Sequence, residues 1–209
     1  MRALPWEVVA YGRQMLTSTG SSKILEVSEG MNASIAVTRN SSGSRFFHGA
    51  GKVQASTEPQ DMRLQRMLGH LSALTCRDPE AVKDVLVIAC GAGVTAGSFV
   101  LYPGVQNIVI CDIEPLVPKV VAPMFGRENY HVVDGIDRQN PLWVNGKKVT
   151  VVYDDGRHYV RTLPRDVRFD VITSDPFEPV VAGAASLYTL EHFQLARSRL
   201  APGGLMAQF

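Results

Sequence analysis

The pattern of apolar and polar positions changes near residue 60. Before it, three short, partly alternating runs at 23–27, 33–39 and 45–48 are separated by stretches rich in Ser, Gly and Asn at 28–32 and 40–44. Alternation puts successive side chains on opposite faces, and the punctuating residues favour turns. This part therefore reads as a small antiparallel meander. Thr57, followed three residues later by Gln60, then has the form of a capping box. Leu64, Met67, Leu68 and Leu71 recur at helical spacing. A helix is expected there, with these four on its apolar face and Gln65 beside them.

From residue 84 the texture alternates. Residues 85–89, 107–111, 149–153, 169–174 and 204–209 are nearly continuous apolar runs, as in strands covered on both faces. Helices are expected near 95–101, 115–125, 156–162 and 189–200, the last halted by Ala201-Pro202-Gly203-Gly204. Residues 134–146 form a polar excursion without a period. Strands alternating with helices specify an α/β fold with a doubly wound parallel sheet. The expected division is a small N-terminal β-meander domain over residues 1–60 and a Rossmann-like domain over 61–209. The fifth strand runs to the last residue, and a bare strand edge is a liability, so a C-terminal truncation is expected.

Composition narrows the function classes. The chain has 209 residues, 45% of them hydrophobic, enough to bury a core without disulfides. Twenty-one basic residues against 20 acidic give a net charge of +1, with no basic patch for nucleic acid. Three cysteines form no disulfide framework. Neither they nor His48, His70, His131, His158 and His192 have metal-ligand spacing, so no metal is expected. A reducing cytoplasm is the compartment expected. Residues 85–111 carry no charge, but Gly91, Gly93, Gly97, Pro103 and Gly104 break them into strand, turn and helix rather than a membrane span.

Ligands of open α/β sheets bind outside the carboxyl ends of the strands, so the residues there matter most. The first strand runs into Ala89-Cys90-Gly91-Ala92-Gly93-Val94-Thr95-Ala96-Gly97, where Gly91 and Gly93 permit a tight turn and close backbone approach. The second ends at Asp112, 21 residues after Gly91, near the spacing of a carboxylate that grips ribose hydroxyls. The third ends at Asp154-Asp155-Gly156 and the fourth at Asp175, with Glu178 close behind. Taken singly, the loop reads equally as a tight turn, Asp112 as a solvated strand end, and Asp155 and Asp175 as helix N-caps. Taken together, they point to a nucleoside-bearing compound lying across one rim.

The stretch 85–114, the Asp155-Gly156 turn and Phe169-Asp-Val-Ile-Thr-Ser-Asp175 together resemble the spermidine/spermine synthase family, the polyamine aminopropyltransferases. Ser186-Leu187-Tyr188-Thr189, Ala201-Pro202-Gly203-Gly204 and Gln54 with Gln65 add to the likeness, which is greatest to a bacterial spermidine-synthase-like subgroup. The resemblance implies a small N-terminal β-domain before a Rossmann-like, methyltransferase-type sheet. It implies transfer of an aminopropyl group from decarboxylated S-adenosylmethionine, a co-substrate rather than a resident cofactor, to a diamine such as putrescine. Carried over by position, Asp112 would hold the ribose, Asp155 the adenine amino group and Gln65 the thioether side of the nucleoside. Asp175 would be the catalytic carboxylate, with Glu178 seating the cationic amine. Tyr188 would border the acceptor pocket or else staple the last helix. Expected partners are a small amine and an adenosyl sulfonium donor, with no nucleic acid. A homodimer and a membrane-attached portion upstream are left open.

The chain departs from the family pattern in three places. Ala92 stands where an aspartate usually grips the aminopropyl amine, Leu64 replaces a pocket tyrosine, and the segment completing that pocket is missing. Three other readings stay in play: a methyltransferase using intact S-adenosylmethionine, a truncated non-catalytic nucleoside-binding module, and a nicotinamide dehydrogenase, since Gly91-Ala92-Gly93-Val94-Thr95-Ala96 also satisfies the dinucleotide fingerprint. The last is disfavoured because Asp155 and Asp175 would face an anionic pyrophosphate.

Overall fold

A computed structural model describes residues 5–15, 20, 22–174 and 184–208. Its first part is an antiparallel sheet of four strands, β1 (Ser22–Glu29), β2 (Ser34–Asn40), β3 (Arg45–Gly49) and β4 (Lys52–Ser56), in that spatial order. Two of its elements carry little apolar periodicity and were not expected. β4 is held by its pairing with β3, where Phe47 faces Ala55. The short helix α1 (Trp6–Tyr11) covers the sheet, burying Val9, Ala10 and Tyr11 with Ala36.

The second sheet has six strands: β5 (Asp84–Ile88), β6 (Asn107–Asp112), β7 (Leu142–Val144), β8 (Lys147–Tyr153), β9 (Phe169–Ser174) and β10 (Leu200–Gln208). Their order is β10-β9-β5-β6-β8-β7, parallel throughout except for β7. The sheet is thus mixed at one edge rather than wholly parallel. Asn145 and Gly146 both have positive φ (49° and 75°) and join β7 to β8. An Asn-Gly pair is the strongest short hairpin signal, and it lies within the stretch read as aperiodic.

Each buried strand is apolar on both faces because each face is covered. Val85, Val87, Ile108, Ile110, Val149, Val151 and Val171 belong to one core, Leu86, Ile88, Cys111 and Ile172 to the other. Helix α3 (Val94–Phe99) joins the first core; α4 (Gly156–Thr162) and α5 (Leu190–Arg197) contribute Val160 and Ala196 to the second. Fully burying one such aliphatic side chain contributes about 1.5–3 kcal/mol. Cys76, Cys90 and Cys111 are buried and form no disulfide. α5 ends at Arg197 with Ser198 as its C-cap, short of the expected residue 200, so the Ala201–Gly204 stretch does not stop the helix; it lies inside β10, where the β9–β10 register shifts between Leu200 and Leu205.

Helix α2 (Pro59–Leu74) differs from expectation at its start and on its buried face. Glu58 is the N-cap, with no side-chain cap bond. Thr57 Oγ1 instead accepts the Arg45 N–H, and the Glu58 N–H donates to Ser56 Oγ, so no Thr57–Gln60 box forms. The helix buries Gln65, Leu68, Gly69, Ser72 and Ala73, whereas Leu64, Met67 and Leu71 are exposed by 37%, 40% and 46%. Close approach decides the face: a Cβ at Gly69 would lie 2.7 Å from Ser98 Cβ on α3. Residues 115–125 likewise form no regular helix. Pro118 and Pro123 lack N–H donors, and the segment makes a π turn (Val117–Val121) followed by a 3-10 turn (Ala122–Phe125).

Candidate functional site

Strand order reverses at β5, which lies between β6 and β9. This is the switch point where open α/β sheets hold ligands. β5 leads into the glycine loop. Ala89 and Gly93 both have positive φ (67° and 77°), and Gly93 is the N-cap of α3. A Cβ at Gly93 would meet Asn129 Nδ2 at 2.9 Å, so glycine is required there by conformation and by space.

Asn129 explains why the loop has one shape. It is fully buried, and its Nδ2 donates to Ala92 O at 2.9 Å and to Ala122 O at 2.7 Å. Sequence reasoning missed it, because one asparagine outside every predicted element gives no signal.

Asp112 ends β6 directly beside this loop. It is 6% exposed, and its two oxygens take different donors: Cys90 N–H to Oδ2 at 2.7 Å and Glu114 N–H to Oδ1 at 2.8 Å. Burial pushes its carboxyl up to about 6, with the Glu114 charge adding to the rise and the two N–H donors opposing it. A carboxylate has about four lone-pair directions, so each oxygen can still accept a ligand hydroxyl.

The next strand end is stitched to this one. Ala89 N–H donates to Cys111 O at 2.7 Å, and Asp154 N–H donates to Asp112 O at 3.1 Å. The Cys111 thiol is pushed up to about 12 by burial and then by the nearby charges of Asp154, Asp112 and Asp155. The acids at the ends of β6 and β8 thus share one edge of the sheet, as expected. Asp155 also caps α4, its Oδ1 accepting the His158 N–H at 2.9 Å. Asp154, not singled out from sequence, pairs with His158 Nδ1 at 2.7 Å. A Cβ at Gly156 would crowd Ile88 Cγ2 at 2.5 Å, so this glycine has a packing reason of its own.

Gln65 lies on α2, buried, with Nε2 near Ser56 O (3.4 Å) and Asp61 O (3.3 Å) and with Oε1 unpartnered. Thr95 Oγ1 donates to the Gln65 carbonyl at 3.1 Å, which ties α2 to the helix after the glycine loop. Tyr188 is half-buried and packs against the core that contains Leu187 and Ala196. Asp175 and Glu178 lie outside the described residues.

Two cavities frame the sheet. One of about 250 Å³ is lined by Asp155, by Arg157, His158 and Arg161 of α4, by Ser186 and by Leu195 of α5. A larger one, about 350 Å³, includes Arg77, Asp170 and Gly203 and touches none of the candidate site residues. Of the candidate site residues the smaller one touches Asp155 and neither Asp112 nor the glycine loop. Among the described residues no cluster of His, Cys, Asp and Glu is placed to hold a metal ion, and no helix is long and apolar enough to cross a membrane.

A glycine loop tied to a buried acid at the switch point of a doubly wound sheet defines a Rossmann-like domain of the methyltransferase type. More specifically, the chain belongs to the spermine/spermidine synthase family, whose "Spermine/spermidine synthase domain" matches residues 61–208. It is 30% identical over 156 residues to the spermidine synthase of Dictyostelium discoideum, which covers 75% of this chain and 48% of that protein. It is 27% identical over 176 residues to the polyamine aminopropyltransferase of Aeropyrum pernix, covering 82% and 50% respectively. The chain thus spans about half the length of these curated relatives, and 22% of a Mycobacterium tuberculosis polyamine aminopropyltransferase that is 30% identical over 129 residues. The fold is shared with a spermidine synthase solved in complex with the transition state analogue AdoDATO (TM-score 0.73, 20% identity, 89% of this chain and 57% of that one). It is shared also with the spermidine synthase of Thermotoga maritima (TM-score 0.71, 20% identity, 89% and 56%).

Proposed function

We propose that this chain carries an aminopropyltransferase site that moves an aminopropyl group from decarboxylated S-adenosylmethionine to a small diamine. The observation that carries the reading is Asp112, held beneath the glycine loop by two backbone donors, in a chain whose residues 61–208 match the family. Asp112 takes the ribose hydroxyls through its remaining lone pairs. Gly91 and Gly93 let the loop backbone approach the ligand. Asp155 accepts from the adenine amino group through the oxygen that does not cap α4, with Gly156 behind it. Gln65 offers Oε1 to the thioether side of the nucleoside. On the acceptor side Glu178 and Tyr188 border the amine, and Asp175 orients it.

The chemistry needs no metal. The amine nitrogen attacks the carbon bonded to the sulfonium; an N–C bond forms, the C–S bond breaks, and the bonding pair stays on sulfur as methylthioadenosine leaves. The proton released from the amine passes to the Asp175 carboxylate. Acids suit the positive charge of both substrates, and most of the acceleration comes from holding the reacting atoms in line.

One observation favours a second reading. Ala92 is fully buried, with its carbonyl tied to Asn129, where the family usually places an acid for the donor amine. A methyltransferase using the intact donor fits this residue as well. Calorimetry with methylthioadenosine, S-adenosylhomocysteine and NAD separates the readings. Tightest binding of methylthioadenosine is expected; preference for S-adenosylhomocysteine favours the second reading, and binding of none leaves a module without turnover. A transfer assay completes the test: Asp175→Asn should abolish product while methylthioadenosine still binds. Unchanged turnover would remove Asp175 from the mechanism.

A further inference from the structure

The β1–β2 turn crosses from the four-stranded sheet to the loop after β6, and the two meet at Glu114. This side chain is 3% exposed. Its Oε2 accepts the N–H of Asn32 at 2.7 Å and of Ala33 at 3.2 Å, and its Oε1 accepts the Leu116 N–H at 3.1 Å. Asn32 Nδ2 also donates to Ile113 O at 2.6 Å. There is no slack in this contact, because a Cβ at Gly30 would overlap the Glu114 carboxylate.

The backbone of the same residue faces the other way. The Glu114 N–H is the donor to Asp112 Oδ1. Side chain and main chain of one residue therefore hold, respectively, the N-terminal sheet and the buried acid of the site. A carboxylate is an expensive choice for mere packing, since burying it requires that its hydrogen bonds all be made. What it supplies is geometry: three N–H donors must converge, which leaves the turn one position. A separate tie joins β3 to the segment after the 3-10 turn: Arg45 to Glu128 at 2.6 Å, with the Arg45 guanidinium 5.7 Å from the Phe125 ring centre. The two sheets also share one apolar core, which holds Ile35, Val37 and Phe47 with Val85 and Val87, so removing Glu114 should leave them docked.

We propose that Glu114 is a positioning residue through which the N-terminal sheet sets the orientation of Asp112, and thereby nucleoside affinity. The proposal rests on the reading of Asp112 as the ribose ligand. It requires reciprocity: a nucleoside on Asp112 must in turn steady the β1–β2 turn.

The test titrates methylthioadenosine into the full chain by calorimetry and follows amide hydrogen exchange with and without it. Glu114→Ala should weaken binding about tenfold, and Glu114→Gln, which keeps one acceptor oxygen, about threefold. Gly30→Ala, placed in the other sheet, should match Glu114→Ala by pushing the carboxylate aside. Methylthioadenosine should slow exchange at Asn32 and Ala33 in the wild type and not in Glu114→Ala. Binding within about twofold of wild type in both Glu114→Ala and Gly30→Ala overturns the proposal, as does exchange at Asn32 and Ala33 that ignores the ligand. If Glu114→Ala fails to fold, Glu114→Gln and Gly30→Ala decide. Failure of the wild type to bind methylthioadenosine would instead overturn the nucleoside reading. The Glu114 link is then judged on the Cys90 amide, which donates to Asp112. Faster exchange there in Gly30→Ala and Glu114→Gln supports the link, and unchanged exchange overturns it.

Discussion

Asp112 and Asp155 follow neighbouring strands on one edge of the sheet, yet they are held in opposite ways. Asp112 is buried, with both oxygens engaged by backbone N–H groups and the loop above it locked by Asn129. Asp155 is exposed, and only one of its oxygens is engaged, by the first turn of a seven-residue helix. The first acid is oriented by the fold before any ligand arrives. The second keeps freedom that a ligand must restrict, and so contributes less affinity per hydrogen bond. On the proposed function, a site built this way would read one end of its ligand rigidly and accommodate the other.

The rigid half can be attacked most directly at Asn129. Asn129→Ala leaves the carbonyls of Ala92 and Ala122 without their donor in a fully buried place, which should cost about 2–5 kcal/mol in urea-induced unfolding. A loss under about 1 kcal/mol would mean that the loop keeps its shape without the clamp, and the contrast between the two acids would dissolve.

Acid titration sharpens the contrast next. The Asp112 carboxyl stands at about 6 in the folded chain against an ordinary value of 3.8. Between those values the folded state holds a proton that the unfolded state has released, so this group lowers stability as pH rises through the window. The effect is at most about 3 kcal/mol, and it is complete above the folded value. It is isolated as the difference between wild type and Asp112→Asn in denaturant titrations across that range. Methylthioadenosine affinity should run oppositely, rising with pH as the ionised acceptor forms. At neutral pH Asp112→Asn should weaken it about 10–100-fold. Stability and affinity moving together with pH would remove the buried ionised acid from the argument.

How far these features were legible depends on what makes each one. The strands β5, β6, β8 and β9 were plain, because a strand covered on both faces must be apolar throughout, and Val85 to Ile88 is. The glycine loop and Asp112 followed, since they sit where such strands end. The buried face of α2 was legible only in part: Leu68 is buried as expected, but Leu64, Met67 and Leu71 are exposed. Gly69 and Ser72 let two helices approach closely, and small residues at a crossing leave no mark on a hydrophobic stripe. Asn129 and Glu114 were invisible for a related reason. Each is a single polar residue whose partners are backbone groups: Asn129 reaches Ala92, 37 positions away in sequence, and Glu114 reaches Asn32, 82 positions away. Periodicity carries local information only.

The flexible half answers to smaller changes. Asp155→Ala removes an N-cap and should cost about 1 kcal/mol in thermal or urea unfolding, as caps of this kind do. It should also weaken methylthioadenosine about fivefold, less than Asp112→Asn, because the ligand regains part of the bond from water. Equal losses at the two positions would show that Asp155 is as fixed as Asp112.

Asp155→Ser separates the two duties of this residue. A serine hydroxyl caps a helix about as well as a carboxylate, so stability should stay within about 0.5 kcal/mol of wild type. It is shorter, however, and it has no second oxygen, so the acceptor that Asp155 keeps clear of the cap is lost and the remaining lone pair of the capping hydroxyl stops short of an adenine amino group. Affinity should therefore fall as far as in the alanine variant while the unfolding midpoint does not move. If the serine variant instead keeps wild-type affinity, Asp155 is only a cap. The ligand would then be held at the Asp112 end alone, and the accommodating half of the comparison would have to be sought elsewhere along the edge.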